Sequence, residues 1–221
     1  MCNFLKCILC ILVVAAVSCT SDFHQVSENS TVLIQPFKGF DSKIVDSIAV
    51  SLEELYGMRV DIAEEIETPD NAFIEVKSAR YRADTLIRFL RDRKEIINAD
   101  FTLGLIKQDI SCTKYSDYKS KTIKSPEYKY KDWGIYGLGF CPGPSCIVSS
   151  YRLKKGTSKV NFIARMRKVS CHEIGHNLGL PHCPDEACIM QDAAESMSTV
   201  DGVKLHLCNE CRSKIGLEKA N

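Results

Sequence analysis

Residues 172–183 concentrate side chains that can bind a metal, and they read HEIGHNLGLPHC. His172 and His176 are four residues apart, so on a helix both imidazoles point from one face, about 40° apart. Two nitrogen ligands on one face suit a single zinc ion. Glu173 lies beside them and can act on water at that metal without being a ligand itself. The pattern therefore predicts a catalytic zinc site with Glu173 as general base.

A third histidine, His182, follows six residues after His176. On a continuous helix it would lie about 240° round and about 9 Å along, out of reach of the same ion. Gly179 can end the helix, because glycine adopts the left-handed conformation without steric cost, and Pro181 prevents the helix from resuming. Three of the five histidines of the chain fall in this segment. We therefore predict His182 as the third zinc ligand, beyond a turn at Gly179.

Four cysteines follow in two close pairs. Cys183 and Cys188 enclose four residues, and Cys208 and Cys211 enclose two. Two such pairs separated by a loop are typical of a structural zinc site with four thiolate ligands. In an exported protein the alternative is a pair of disulfides. The two-residue spacing at the start of a predicted helix, residues 208–216, favours zinc.

Patterns of strands and helices alternate before this segment. Strands are predicted at 31–37, 59–63, 101–110 and 147–152, with an edge strand at 134–140. Helices are predicted from Asp41 to Tyr56, at 80–93, and after a cap at Thr157 or Ser158. This alternation predicts an α/β fold with a twisted, mixed and mostly parallel sheet.

The length and net charge of the chain indicate one globular catalytic domain, and they exclude few classes of function. The chain has 221 residues, 45% of them hydrophobic, and a net charge of +1, which gives no argument for a nucleic-acid partner. We expect a monomer. Residues 112–133 contain six lysines, but Asp117, Glu127 and Asp132 are interleaved with them. That mixture favours a solvated surface loop over a basic binding patch.

The N-terminus has the features of an export signal. Residues 7–17 form an apolar run of about eleven residues, too short to span a bilayer and suited to the core of a signal peptide. Ala16 and Ser18 supply small residues before Cys19, which resembles a lipoprotein signal and predicts membrane attachment through lipidated Cys19. The alternative is a short membrane anchor or a buried strand. We predict export to the cell envelope, with a signal peptide at 1–18, a flexible tether at 19–30 and the catalytic domain at 31–221.

Taken together, residues 172–211 closely resemble the archaemetzincins: HExxHxxGxxH, then Cys183, Cys188, Met190, Cys208 and Cys211 at that family's spacing. The resemblance implies a zinc metallopeptidase that cleaves peptide or protein substrates. It also implies a compact metzincin fold with an HExxH helix and a zinc-stapled C-terminal subdomain. The implied roles are a catalytic zinc on His172, His176 and His182, Glu173 as base and acid, a structural zinc on the four cysteines, and Met190 beneath the catalytic metal.

Three features leave alternatives open. No tyrosine follows Tyr151, so the tyrosine that some metzincins place after the methionine is absent, and Tyr136 or a backbone N–H is expected to stabilise the oxyanion instead. Cys141 and Cys146 could close a small disulfide loop in an exported protein. Two other functions also fit the residues: a non-catalytic binding module stabilised by zinc, and a zinc amidohydrolase that acts on a non-peptide or cell-wall amide.

Overall fold

A computed structural model describes residues 23–117, 119–192 and 196–219, apart from the side chains of residues 94–97. The predicted signal peptide and Cys19 lie outside the described residues. Within the described ranges, no helix has both the length and the apolar character that crossing a bilayer requires.

The elements of the described chain alternate as the sequence predicts. The strands are β1 (Thr31–Pro36), β2 (Arg59–Ile62), β3 (Phe73–Glu75), β4 (Ala79–Arg82), β5 (Phe101–Ile106), β6 (Ile110–Cys112), β7 (Tyr115–Asp117), β8 (Thr122–Ile123), β9 (Trp133–Ile135), β10 (Gly137–Gly139) and β11 (Ser145–Ser149). The helices are α1 (Ser42–Tyr56), α2 (Ala83–Ile97), α3 (Glu127–Tyr130), α4 (Ser150–Leu153), α5 (Lys159–Asn177), α6 (Met197–Gly202) and α7 (Asn209–Lys214).

The main sheet has five strands in the order β10-β11-β5-β1-β2. All neighbouring strands are parallel except β10, which runs antiparallel to β11 at the edge. Every residue of β1, β5 and β11 is buried, as expected for strands that helices cover on both faces. The predicted α/β fold with a mixed, mostly parallel sheet is confirmed.

Helices cover the two faces of this sheet unequally. On one face, α1 and α5 pack together, and residues such as Leu52 and Ile174 join the larger core cluster with Leu103 of the sheet. On the other face, α2 packs through Leu86 and Leu90 on a smaller cluster. The helix that carries HEIGH therefore packs against both the sheet and α1, and apolar burial fixes its position.

A second sheet, in the order β3-β4-β6-β9, is not predicted from the sequence. Residues 80–82 were expected to begin a helix, but they belong to β4 (Ala79–Arg82), which pairs in parallel with β6. The helix starts only at Ala83. Arg80 contributes ion pairs to Asp109 and Asp132. Pairing with distant residues thus outweighs the local helical pattern.

Three predicted strands are too long, and one of them, the edge strand expected at 134–140, is divided between β9 of the second sheet and β10 of the main sheet. The strand expected at 101–110 ends at Ile106, and Ile110 already belongs to β6 of the second sheet. The strand expected at 147–152 ends at Ser149, whose hydroxyl accepts a hydrogen bond from the Tyr151 N–H and so caps α4. A side-chain cap can turn an apolar strand directly into a helix.

The described part of the predicted tether is held against the domain. The His24 N–H donates to the Leu178 carbonyl at 2.9 Å, and the Val26 N–H donates to the Ile215 carbonyl at 2.9 Å. Phe23 and Val26 also pack against the larger core cluster. Residues 23–26 therefore differ from the expected flexible segment, because two apolar side chains among the polar ones find a surface to cover.

Candidate active site

Helix α5 positions the first two histidines and Glu173. It begins after Ser158, whose hydroxyl accepts a hydrogen bond from the Asn161 N–H, and it ends at Asn177. Gly179 follows with φ +94°, which is the left-handed conformation expected at a helix end. The chain therefore reverses beyond α5 and can return His182 toward the helix.

The three histidines meet at one point. His172, His176 and His182 each offer a ring nitrogen, and these nitrogens lie within 4.8 Å of one another. Nδ1 of His172 is 2.8 Å from the Ile189 carbonyl oxygen, and Nδ1 of His176 is 2.8 Å from the Leu180 carbonyl oxygen. Since a carbonyl only accepts, both Nδ1 atoms are the protonated ones, and both Nε2 atoms keep a lone pair for a metal.

Burial favours the uncharged form of two of these rings. It lowers the pKa of His172 to about 3, with the neighbouring His176 as a further cause. It lowers the pKa of His176 to about 4. His182 is more exposed, and its Nδ1 lies 3.5 Å from a carboxylate oxygen of Asp192. A metal needs neutral imidazoles as ligands, so His172 and His176 are already in the form that binds zinc at neutral pH.

Glu173 is buried beside the histidines, and burial raises the pKa of its carboxyl to about 8. A divalent cation on the histidines would act in the opposite direction, because it favours the carboxylate. Strand β10 lies directly over this side chain: a Cβ atom on Gly137 would come within 2.6 Å of Oε1, and one on Gly139 within 3.3 Å of Oε2.

The two β10 glycines are functional candidates that the sequence reasoning did not single out. They alternate in the sequence Gly-Leu-Gly and so share one face of the strand. The available signal was that alternation inside a predicted edge strand, where glycine often marks close approach of another group. Only the fold shows that the approaching group is the carboxylate of Glu173.

Met190 packs beneath the histidine-bearing turn of α5. It is fully buried, and a Cβ atom on Gly175 would come within 2.3 Å of its sulfur. Gly175 directly precedes His176 in α5 and is buried. The Met190 carbonyl also accepts a hydrogen bond from the Cys183 N–H at 2.8 Å, so Met190 connects the histidine centre to the first cysteine of the second cluster.

The four cysteines form a second, closed centre. The sulfur atoms of Cys183, Cys188, Cys208 and Cys211 all lie within 4.8 Å of one another. Sγ of Cys183 is 3.7 Å from that of Cys208, and Sγ of Cys188 is 3.9 Å from that of Cys211. A tetrahedral zinc with bonds of about 2.3 Å places its sulfur ligands about 3.8 Å apart, whereas a disulfide needs about 2.05 Å. The spacing fits four ligands of zinc.

Backbone groups support these sulfur atoms. The Cys208 N–H donates to Sγ of Cys188 at 3.4 Å, and the Cys211 N–H donates to Sγ of Cys208 at 3.5 Å. Cys208 is the N-cap of α7. Hydrogen bonds to sulfur and a helix N-terminus both favour thiolates, which are the form that binds the metal.

The disulfide suggested for Cys141 and Cys146 is not present. All eight cysteines of the described chain are free. Cys146 lies in β11 and is fully buried in the larger core cluster. The Cys141 thiol instead donates to the Leu180 carbonyl at 3.5 Å. The two side chains occupy different environments, because strand pairing turns Cys146 toward the core.

A cleft of about 430 Å³ lies over the histidine centre. Its wall includes β10, Tyr136 and the exposed side of α5, with Val169, Val200 and Val203 as apolar lining. The segment 112–133, expected to be a solvated loop, also contributes side chains to this wall. Part of that segment is therefore a component of the site, which follows from the pairing of β6 with β9.

Known proteins resemble the chain in both sequence and fold. The model of peptidase family M54 matches residues 32–217. The archaemetzincin of Halobacterium salinarum is 28% identical over 173 residues, which cover 75% of this chain and 87% of the relative. The crystal structure of archaemetzincin from Methanopyrus kandleri superposes with a TM-score of 0.69 at 26% identity, and the match covers 86% of this chain and 94% of the other. That of Archaeoglobus fulgidus superposes with a TM-score of 0.65 at 24% identity, over 84% and 99% of the two chains.

Proposed function

Since the chain belongs to peptidase family M54 and is a zinc metallopeptidase, we propose that Glu173 is its general base and acid. We further propose that His172, His176 and His182 hold its catalytic zinc, and that Cys183, Cys188, Cys208 and Cys211 hold a structural zinc. The observation that carries the assignment is the convergence of three imidazole nitrogens within 4.8 Å of one another, with the buried carboxyl one residue after the first of them on the same helix.

Three protein ligands leave one position of a tetrahedral ion open, as catalytic rather than structural zinc sites do. When bound there, zinc supplies Lewis-acid chemistry: it polarises a peptide carbonyl and lowers the pKa of water. The carbonyl oxygens of Ile189 and Leu180 hold the first two rings in the tautomer that such binding needs.

Glu173 performs the proton transfers. One of its carboxylate oxygens accepts a proton from the attacking water and later delivers that proton to the leaving amine nitrogen. Gly137 and Gly139 keep β10 close to the carboxylate, which restricts its rotamers and excludes bulk water from one side. Tyr136 lies in the cleft wall and is the side chain we propose to donate a hydrogen bond to the developing oxyanion.

Strand β10 is placed to hold the substrate. It pairs with β11 on one side only and is the edge of the five-stranded sheet where the cleft runs. An extended peptide can add to such an edge through backbone hydrogen bonds. This arrangement favours a peptide over the small amide of a cell-wall amidohydrolase, because it offers main-chain recognition along a strand.

Replacement of Glu173 by Gln tests the assignment. Glu173→Gln keeps the shape of the side chain and removes its basicity, so we expect zinc content unchanged at two per chain and peptide turnover lowered about a hundredfold or more. Elemental analysis and a fluorogenic peptide library measure the two quantities. Turnover that persists in this variant would exclude Glu173 as the base. Two zinc atoms without hydrolysis of any peptide by the unaltered chain would favour the binding module.

We also propose that the chain is exported and attached to a membrane through lipidated Cys19, as a monomer. The apolar run at 7–17 and the small residues before Cys19 support this proposal. Mass analysis of the N-terminal peptide from cells tests it: a lipid on Cys19 is expected, and an intact Met1 terminus would exclude processing at this position.

A further inference from the structure

The wall of the cleft is positively charged away from the metal centre. Lys114, Lys124 and Lys168 line it, and the carboxyl groups among its described lining residues are those of Glu173 and Asp192. Both of these acids lie at the histidine centre. Lys168 already donates to the Val200 and Asp201 carbonyls. Lys114 and Lys124 supply the rest of the positive charge of the lining, and both belong to segment 112–133.

Segment 112–133 carries six lysines and three acids along the sequence, and the fold sorts these charges in space. Asp132 is buried, with its carboxylate 3.4 Å from the Arg80 guanidinium. Asp117 accepts hydrogen bonds from Ser120 and the Lys119 N–H at the turn between β7 and β8. Neither acid belongs to the cleft lining, and neither does Glu127. The fold thus places two of the six lysines of this segment in the cleft lining and all three of its acids outside it.

The two lysines are held next to each other. The Lys124 N–H donates to the Lys114 carbonyl at 3.0 Å. The Lys114 ammonium lies 4.9 Å from the centre of the Trp133 ring, and the Lys124 ammonium lies 5.0 Å from that of the Tyr130 ring. Stacking on aromatic rings leaves the positive charge in place and reduces the side-chain entropy that binding would cost.

From this arrangement we propose that the cleft selects substrates with a carboxylate a few residues from the cleaved bond, through Lys114 and Lys124. The inference rests on the proposed peptidase function and adds a substrate class to it. Cys112 pairs with Trp133, so the lysine pair lies on the side of the cleft where β9 leads into β10. A peptide extended along β10 would bring one end past this pair. The carboxylate can belong to an Asp or Glu side chain or to the C-terminus of a short peptide.

A matched peptide series tests the proposal on the full, zinc-loaded chain. Within each set, the peptides share one sequence and differ only at one position, which is Glu, Gln or Lys. One set varies a position before the cleaved bond and another set varies a position after it. Each peptide is made with a free and with an amidated C-terminus. We expect kcat/KM for Glu to exceed that for Lys about fivefold at low salt, and the difference to shrink at high salt. A preference confined to the free C-terminus would identify the terminal carboxylate as the recognised group.

Reversing the charge of one lysine tests whether the substrate preference comes from this lysine pair. Lys124→Glu should abolish or invert the preference, whereas Lys119→Glu, which makes the same change on an exposed part of the segment outside the cleft, should retain it. Binding of the same peptides to Glu173→Gln, measured by fluorescence anisotropy, gives a readout that does not need turnover. Charge-selective binding without any cleavage would overturn the proposed function but support this inference. Equal binding of the three peptides, or binding of none, would overturn the inference. Equal cleavage of the three peptides would also overturn it but would leave the peptidase function standing.

Discussion

The two ligand clusters lie close together in the chain and differ in what surrounds them. The three histidines open onto the cleft, and the side chain of His182 is 44% exposed. Of the four cysteines, three are buried, and α7 and the loop around Cys188 enclose them. Among the described residues, the histidine centre alone has a buried carboxyl beside it. The same metal can therefore serve chemistry in one place and stability in the other, depending on whether the surroundings leave a ligand position accessible to substrate.

The two centres are nevertheless mechanically connected. Met190 lies beneath the turn of α5 that carries the histidines, and its carbonyl accepts a hydrogen bond from the Cys183 N–H. The Ile189 carbonyl contacts His172, while the Ile189 N–H donates to the His206 carbonyl at 2.8 Å. A short segment thus supports both clusters. We infer that the cysteine centre contributes to activity indirectly, by fixing the segment that orients His172.

The largest expected effect is loss of the histidine centre alone. His176→Ala removes one ligand, so the zinc content should fall from two to one per chain, and turnover should fall about a thousandfold or more with the loss of Lewis-acid catalysis. His206→Ala, which removes a histidine that belongs to neither cluster, should change neither quantity. Zinc loss from both centres in His176→Ala would contradict the expectation that the cysteine centre holds its metal without the histidine centre.

The next largest effect concerns stability rather than chemistry. Cys211→Ser removes a buried ligand of the cysteine centre and should lower the free energy of unfolding by about 4 kcal/mol, because zinc binding here is coupled to folding. Thermal unfolding should show a fall of about 10 °C in the midpoint. Cys171→Ser, also buried but outside both clusters, controls for burying a hydroxyl. An equal fall in both variants would argue against a metal at the cysteines.

A smaller effect should follow from changing the strand above Glu173. A Cβ atom on Gly137 would come within 2.6 Å of Oε1, so Gly137→Ala should displace the carboxylate and lower kcat about 10- to 100-fold. Zinc content and melting temperature should change little. Gly202→Ala adds the same methyl group where no atom lies within 4 Å and serves as the control. Unchanged kcat in Gly137→Ala would show that the carboxylate is not positioned by β10.

The sequence predicts the local features of the site closely. The helix cap at Thr157 or Ser158 (Ser158 in the structure), the helix end before Gly179 and the identity of all seven candidate ligands follow from spacing and side-chain chemistry over short distances. The main sheet is also predicted, because its buried strands are continuous apolar runs. The second sheet is not predicted, since its strands have three or four residues and pair with partners far away in the chain.

By itself, then, the sequence determined which residues could bind metal and which could move a proton, because ligand type and helical periodicity are properties of neighbouring residues. Only the tertiary structure decided that Gly137 and Gly139 lie against Glu173, that Cys146 is buried away from Cys141, and that Lys114 and Lys124 line the cleft while Asp132 is buried. These outcomes depend on which strands pair and which faces are covered. Such pairings join residues far apart in the chain, and local sequence patterns do not encode them.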